Sequence, residues 1–350
     1  MFGIYRFILT VMVLVAHLAS PVVNWMGVYA VFCFYLLSGY LMTLILNERY
    51  GFDITGLRRY AVNRILRIYP PYLFIFIIAI MVAGLIPEIA QHINPALSMP
   101  LKPIEWTHNL FIFGLNGDTH RLIPPAWSVD VELFFYCSMG VFFARNSTIC
   151  FIWFFVSLIA TVLMLTMGAD FSLRYGSIIG ASLPFSVGSM MYYFKNELFI
   201  SPQTHIPKAT ILFLLYACFS NFLWANPRNF GFYISLILGI YLQISLANLK
   251  RSDMPSWLRV TDSKLGDLAY PIFLCHWHVG AAIAFIAPFG VSNKGIILCA
   301  WTFFASIILS LGINQFIEQP IEKIRIKFKT STGEQIVQTD PRAPSLRSGR

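Results

Sequence analysis

The sequence predicts an all-α, polytopic membrane protein of about ten transmembrane helices, and three observations predict it. Apolar residues make up 57% of the chain and charged residues only 12%. That charged fraction is about half that of a soluble domain. The mean hydropathy is +0.67. Apolar runs close to the length a helix needs to cross a bilayer recur along the chain, separated by short polar stretches. Such a bundle is one folding unit despite its 350 residues.

The spans read as 4–20, 27–46, 69–86, 127–144, 149–167, 175–194, 209–225, 230–249, 268–288 and 296–317. The first is uniformly apolar except for Arg6 and His17. Cleavage after Ala19 would place His17 where a signal peptidase site wants a small residue, so this span is expected to be retained. Residues 47–68 form a basic, mostly polar cytoplasmic segment, and Pro70 and Pro71 suit the start of the next span. Residues 87–126 form a long outer segment with Pro, Asn, His and Trp. Within it, 104–115 is too short to span and is expected at the interface or folded back into the bundle. The membrane domain is expected over 1–329, with 330–350 a disordered cytoplasmic tail.

The net charge of +9 could suggest nucleic acid, but its distribution argues for membrane topology instead. With both termini in the cytoplasm, 20 of the 25 Lys and Arg fall inside and the remaining five outside. This is the bias that orients spans, and it favours an even number of them. The six cysteines all lie in apolar segments, without CxxC or metal-ligand spacing, and read as small buried hydrophobes.

Five stretches could carry chemistry. Arg6 and His17 stand about 16 Å apart along one helix axis. They put a cation near one membrane face and a titratable ring deeper in the membrane. Arg6 could equally be a cytoplasmic anchor, and His17 a hydrogen-bonded polar residue. Arg64 and Arg67 share a helical face beside Arg58 and Arg59. They could clamp a phosphate or flank anionic lipid. Residues 124–132 (PPAWSVDVE) open the fourth span. Glu132 would lie one to two turns below the outer surface, at a depth matching His17, and could orient its ring. Asp130 faces elsewhere on that helix. His276 and His278 point about 200° apart, so no metal site is expected. Glu318, before the helix-stopping Pro320, reads as structural, pairing with a cytoplasmic Arg.

Together with residues 34–41 (FYLLSGYL), these stretches resemble the acyltransferase 3 family over about residues 4–322. The family's Arg-x10-His falls on Arg6 and His17, and its Arg-x-x-Arg on Arg64 and Arg67. Its Trp-Ser-x-x-x-Glu falls on Trp127, Ser128 and Glu132. Its Tyr-Pro-x-Tyr-Leu-x-His falls on Tyr270, Pro271 and His276, with Phe273 where tyrosine is commoner, and its Glu-x-Pro on Glu318 and Pro320. Many members carry a small residue after the first arginine; here it is Phe7, which bears on helix packing there.

The resemblance implies a bacterial inner-membrane enzyme that transfers an acyl group, acetyl above all, to a hydroxyl of a surface or secreted glycan. It implies no resident cofactor, with acyl-CoA (acetyl-CoA) as donor substrate and a glycan or lipid-linked glycan as acceptor. His17 and Glu132 would be catalytic. Arg6, Arg64 and Arg67 would bind the donor. Ser38, Trp127, Ser128, Tyr270, His276 and Glu318 would line or support the cavity. The imidazole could act as general base or accept the acyl group first. A transporter or glycan flippase without acyl transfer is the rival reading of the same spans.

Overall fold

The computed structural model describes residues 1–19, 25–117, 120–195, 197–198, 200–219, 222, 230–287 and 294–329. The expected tail, 330–350, lies outside them. Every regular element among the described residues is helical: α1 (Phe2–Leu18), α2 (Trp25–Ile45), α3 (Ile54–Leu85), α4 (Pro87–Ile93) and α5 (Pro103–Phe111). There follow α6 (Ala126–Ser138), α7 (Ser147–Thr166), α8 (Phe171–Gly176), α9 (Ile178–Tyr193) and α10 (Pro202–Cys218). The last are α11 (Phe230–Ala247), α12 (Ser256–Ile286), α13 (Ile296–Ile313) and α14 (Gln319–Lys329). Each expected span overlaps one or more of these helices in its described residues; 220–221 and 223–225, within the span expected over 209–225, lie outside them. Among the described residues, six helical stretches are long and apolar enough to cross a membrane alone; α1 and α11 are shorter apolar helices.

The largest correction concerns residues 47–68. They do not form a polar loop: a short π-helical segment (Leu46–Tyr50) ends α2, and α3 begins at Ile54 and runs unbroken through both prolines. The Asp53 carboxylate caps its first turn, accepting from Thr55 N at 3.2 Å and Gly56 N at 3.3 Å. Such a cap satisfies backbone donors that the first turn leaves open. Pro70 and Pro71 remove two interior donors, and sequence reasoning ends a helix there. The carbonyls they leave open are those of Leu66 and Arg67; the Tyr270 hydroxyl donates to the next one, Ile68, at 3.2 Å. Arg64 and Arg67 therefore ride on a rigid helix.

Apolar residues on both sides of a helix contact have no hydrophobic reason to prefer each other over lipid, so close backbone approach decides packing. α2 packs closely on α9 where Gly39 meets the Phe185 carbonyl and Gly188 meets that of Leu36. α1 packs on α12 where Gly3 and Gly266 meet. That contact stands in for a small residue after Arg6. Phe7 turns instead to Phe303, ring centroids 6.4 Å apart, edge to face.

The segment expected outside, 87–126, folds inward at its end. Leu122 through Ala126 are buried, and the Leu122 carbonyl lies 2.7 Å from His278 Nε2. α6 thus begins inside the bundle.

Candidate active site

A cavity of about 240 Å³ lies among α1, α2, α3, α6 and α12. Its polar lining is Arg6 and Thr10, Tyr35 and Ser38, Arg64 and Arg67, Ser128, Glu132 and Tyr136, and Tyr270. On α2 the lining runs from Val31 to Ile45. That is about 21 Å of helix, so the cavity is long rather than round.

Glu132 sits in this cavity as a held carboxylate. The Ser38 hydroxyl, from α2, and the Tyr136 hydroxyl, one turn along α6, both donate to its Oε1. Oε2 has no hydrogen-bond partner among the described residues. Arg6, Arg64 and Arg67 line the same space, and none of the three makes an ion pair among the described residues. Arg64 donates to Asn63 Oδ1 at 2.9 Å and reaches Met42 Sδ at 3.8 Å. Three guanidiniums facing a cavity without ion-pair partners make a site for an anion.

His17 does not line this cavity, and it does not meet Glu132. Its Nδ1 lies 2.8 Å from His276 Nε2, and its ring stacks on Trp277 with centroids 4.8 Å apart. The expectation of matched depth fails because α6 starts inside the bundle, below the buried residues 122–126. Glu132 is bonded to Ser38 on α2, whose Tyr40 lies against Phe2 and whose Gly27 lies against Val13 and Ala16, so Glu132 is level with the Arg6 end of α1, about three turns from His17.

The histidine pair fixes its own tautomers. His276 Nδ1 lies 2.8 Å from the Phe273 carbonyl, which can only accept. In the neutral ring its Nε2 is then the acceptor, and His17 Nδ1 must donate to it. His17 Nε2 is left with its lone pair and no partner among the described residues. The pair presents one basic, nucleophilic nitrogen.

Of the other sequence candidates, Ser128 and Tyr270 line the cavity. The Ser128 hydroxyl donates back to the Pro125 carbonyl at 2.9 Å. Trp127 lies outside it, edge to face with Tyr175 at 5.2 Å. His278 turns to Leu122, away from His276. Glu318 lies in electrostatic reach of Arg67 and Arg325 without a direct ion pair among the described residues. Sequence reasoning missed Tyr136, although its spacing of four from Glu132 was a usable signal. It also missed Thr10, Asn63 and Trp277, whose roles come only from packing.

No curated protein and no solved structure matches the chain. A family model described as an acyltransferase domain matches residues 4–315, nearly the whole chain, taking in Arg6, His17, Arg64, Arg67, Glu132 and His276. With that match, the multi-pass helical bundle and its arginine-lined cavity belong to a member of the acyltransferase 3 family.

Proposed function

We propose that this chain is a membrane O-acyltransferase that moves an acyl group, acetyl above all, from cytoplasmic acyl-CoA to a glycan hydroxyl on the outer side of a bacterial inner membrane. In this reading ten helices span, with both termini cytoplasmic, as the cation bias favours. The observation that carries the proposal is the long cavity lined by three arginines that lack ion-pair partners among the described residues.

Arg64 and Arg67 take the donor's phosphates as planar forks of N–H groups. The thioester arm lies along the cavity past Arg6, Ser38 and Glu132. Thr10 stands on the cavity wall. Seven residues, or about 10 Å of helix, separate it from His17. Glu132 balances the arginine charge and holds the Ser38 and Tyr136 hydroxyls in place. His17 Nε2 takes the proton of the acceptor hydroxyl as its oxygen forms a bond to the acyl carbon. The carbon–sulfur bond breaks, and the proton passes to the departing thiolate. The same lone pair would attack the thioester in a two-step route through an acyl-imidazole.

The test follows ester-linked acetate on surface polysaccharide in cells carrying His17→Ala. Acetylation should disappear while protein level is normal. Undiminished acetylation at normal level would overturn the enzyme assignment and leave the transporter reading.

A further inference from the structure

Helix α14 packs along α3 and carries a buried arginine, Arg325, to Asn63, the neighbour of cavity-lining Arg64. Arg325 is 8% exposed, and Asn63 beneath it is fully buried. The Asn63 Oδ1 accepts from both sides: from Arg325 Nη2 at 3.2 Å and from Arg64 Nη2 at 2.9 Å. One amide oxygen thus ties two guanidiniums together, and Asn63 Nδ2 donates in return to the Arg325 carbonyl at 3.5 Å. Arg67 lies in electrostatic reach of Arg325.

Like charges are gathered here at a cost that the surroundings offset only in part. Glu322 pairs with Arg325 Nη1. Asp267 and Glu318 stand in electrostatic reach of Arg67 and Arg325, but neither makes a direct ion pair among the described residues. The Nε–H donors of Arg64 and Arg325 are both buried without an acceptor among the described residues. Buried N–H groups are almost always satisfied, and each exception calls for an explanation. Two exceptions flanking one asparagine, beside Arg67, match the oxygens of a phosphate group.

We propose that Arg325, tied to Arg64 through the Asn63 amide oxygen, is the third guanidinium of a phosphate site shared with Arg64 and Arg67. The inference rests on the donor site proposed above, and it makes α14 part of that site rather than a stop after the last span. The phosphate could belong to the nucleotide end of the donor or to an anionic lipid headgroup.

The test uses the full chain purified in detergent, with coenzyme A as one probe and phosphatidylglycerol nanodiscs as the other, phosphatidylcholine nanodiscs serving as reference. Arg325→Gln should weaken coenzyme A binding about tenfold, as loss of a charged hydrogen bond does. Lys323→Gln, on the same helix, should leave it within about twofold, in the range of a rim charge. Arg325→Lys keeps the charge and loses the fork, and should recover affinity only in part. Coenzyme A should also raise the melting temperature of the wild type more than that of Arg325→Lys, a readout that survives if Arg325→Gln fails to fold. If Arg64→Gln weakens coenzyme A binding and both Arg325 variants match the wild type, the three-arginine site is overturned and the donor reading stands. If the wild type binds no coenzyme A but prefers phosphatidylglycerol in an Arg325-dependent way, the phosphate site stands and the donor reading falls. Arg325-independent behaviour toward both probes overturns the inference.

Discussion

A histidine held through one nitrogen can work only through the other. His276 holds His17 through Nδ1, so the His276 partner decides how much of His17 is in the productive tautomer. His276→Phe removes that acceptor and should lower turnover on the order of 10²-fold, the lower end of general acid–base effects. His276→Gln offers a carbonyl in its place and should retain more activity. Equal turnover in all three proteins, measured in membrane vesicles, would remove the pair from the mechanism. Tyr136→Phe takes one of two donors from Glu132 Oε1. It should slow transfer about tenfold with little change in thermal stability, and kinetics beside a melting curve would check both. His17 and Glu132 stood out in the sequence as polar atoms in apolar runs. Their partners did not, because which helix faces meet depends on rotations that no local spacing encodes.

At the scale of elements, the close contact of α2 and α9 is a tight constraint. A Cβ added at Gly188 would overlap the Leu36 carbonyl oxygen, which sits on rigid backbone. Gly188→Ala should therefore push the helices apart and destabilise the protein by about 1–3 kcal/mol, read as a lower melting temperature in detergent. α5 is held by charge instead. Glu105 accepts from the backbone N–H of Leu101 at 2.8 Å and of Lys102 at 3.3 Å, and lies 3.5 Å from His120. The Leu101 N–H above all holds its carboxyl below the usual value of 4.5. A lowered folded value means stabilisation that is present above the unfolded value and lost as pH falls through the folded one. Hydrogen-exchange protection at Leu101 and Lys102, taken relative to the intrinsic rate at each pH, should fall on acidification into that window and stay constant in Glu105→Gln. The positions of most helices were legible from apolar run length. The continuity of α3 was not, because the local rule ends a helix at a pair of prolines and this helix runs through them.

At the scale of the molecule, the cation bias and the order of short motifs across the chain carried the family reading from sequence alone. The cavity's arginines, its carboxylate and its serines were all nameable from residue type and spacing. What they form was not. The sequence suggested one centre shared by His17 and Glu132. The bundle instead separates an arginine–carboxylate cavity from a histidine pair farther along α1, because residues 122–126 turn inward and lower α6. That inward turn also has an electrical consequence. In the proposed topology it sets a dry collar of Leu122, Ile123, Pro124, Pro125 and Ala126 on the outer side of Glu132, fastened through His278. Under the proposed function, acyl groups would cross the bilayer here without short-circuiting the proton gradient. His278→Ala should loosen the collar, and in vesicles a faster decay of an imposed pH gradient should report it.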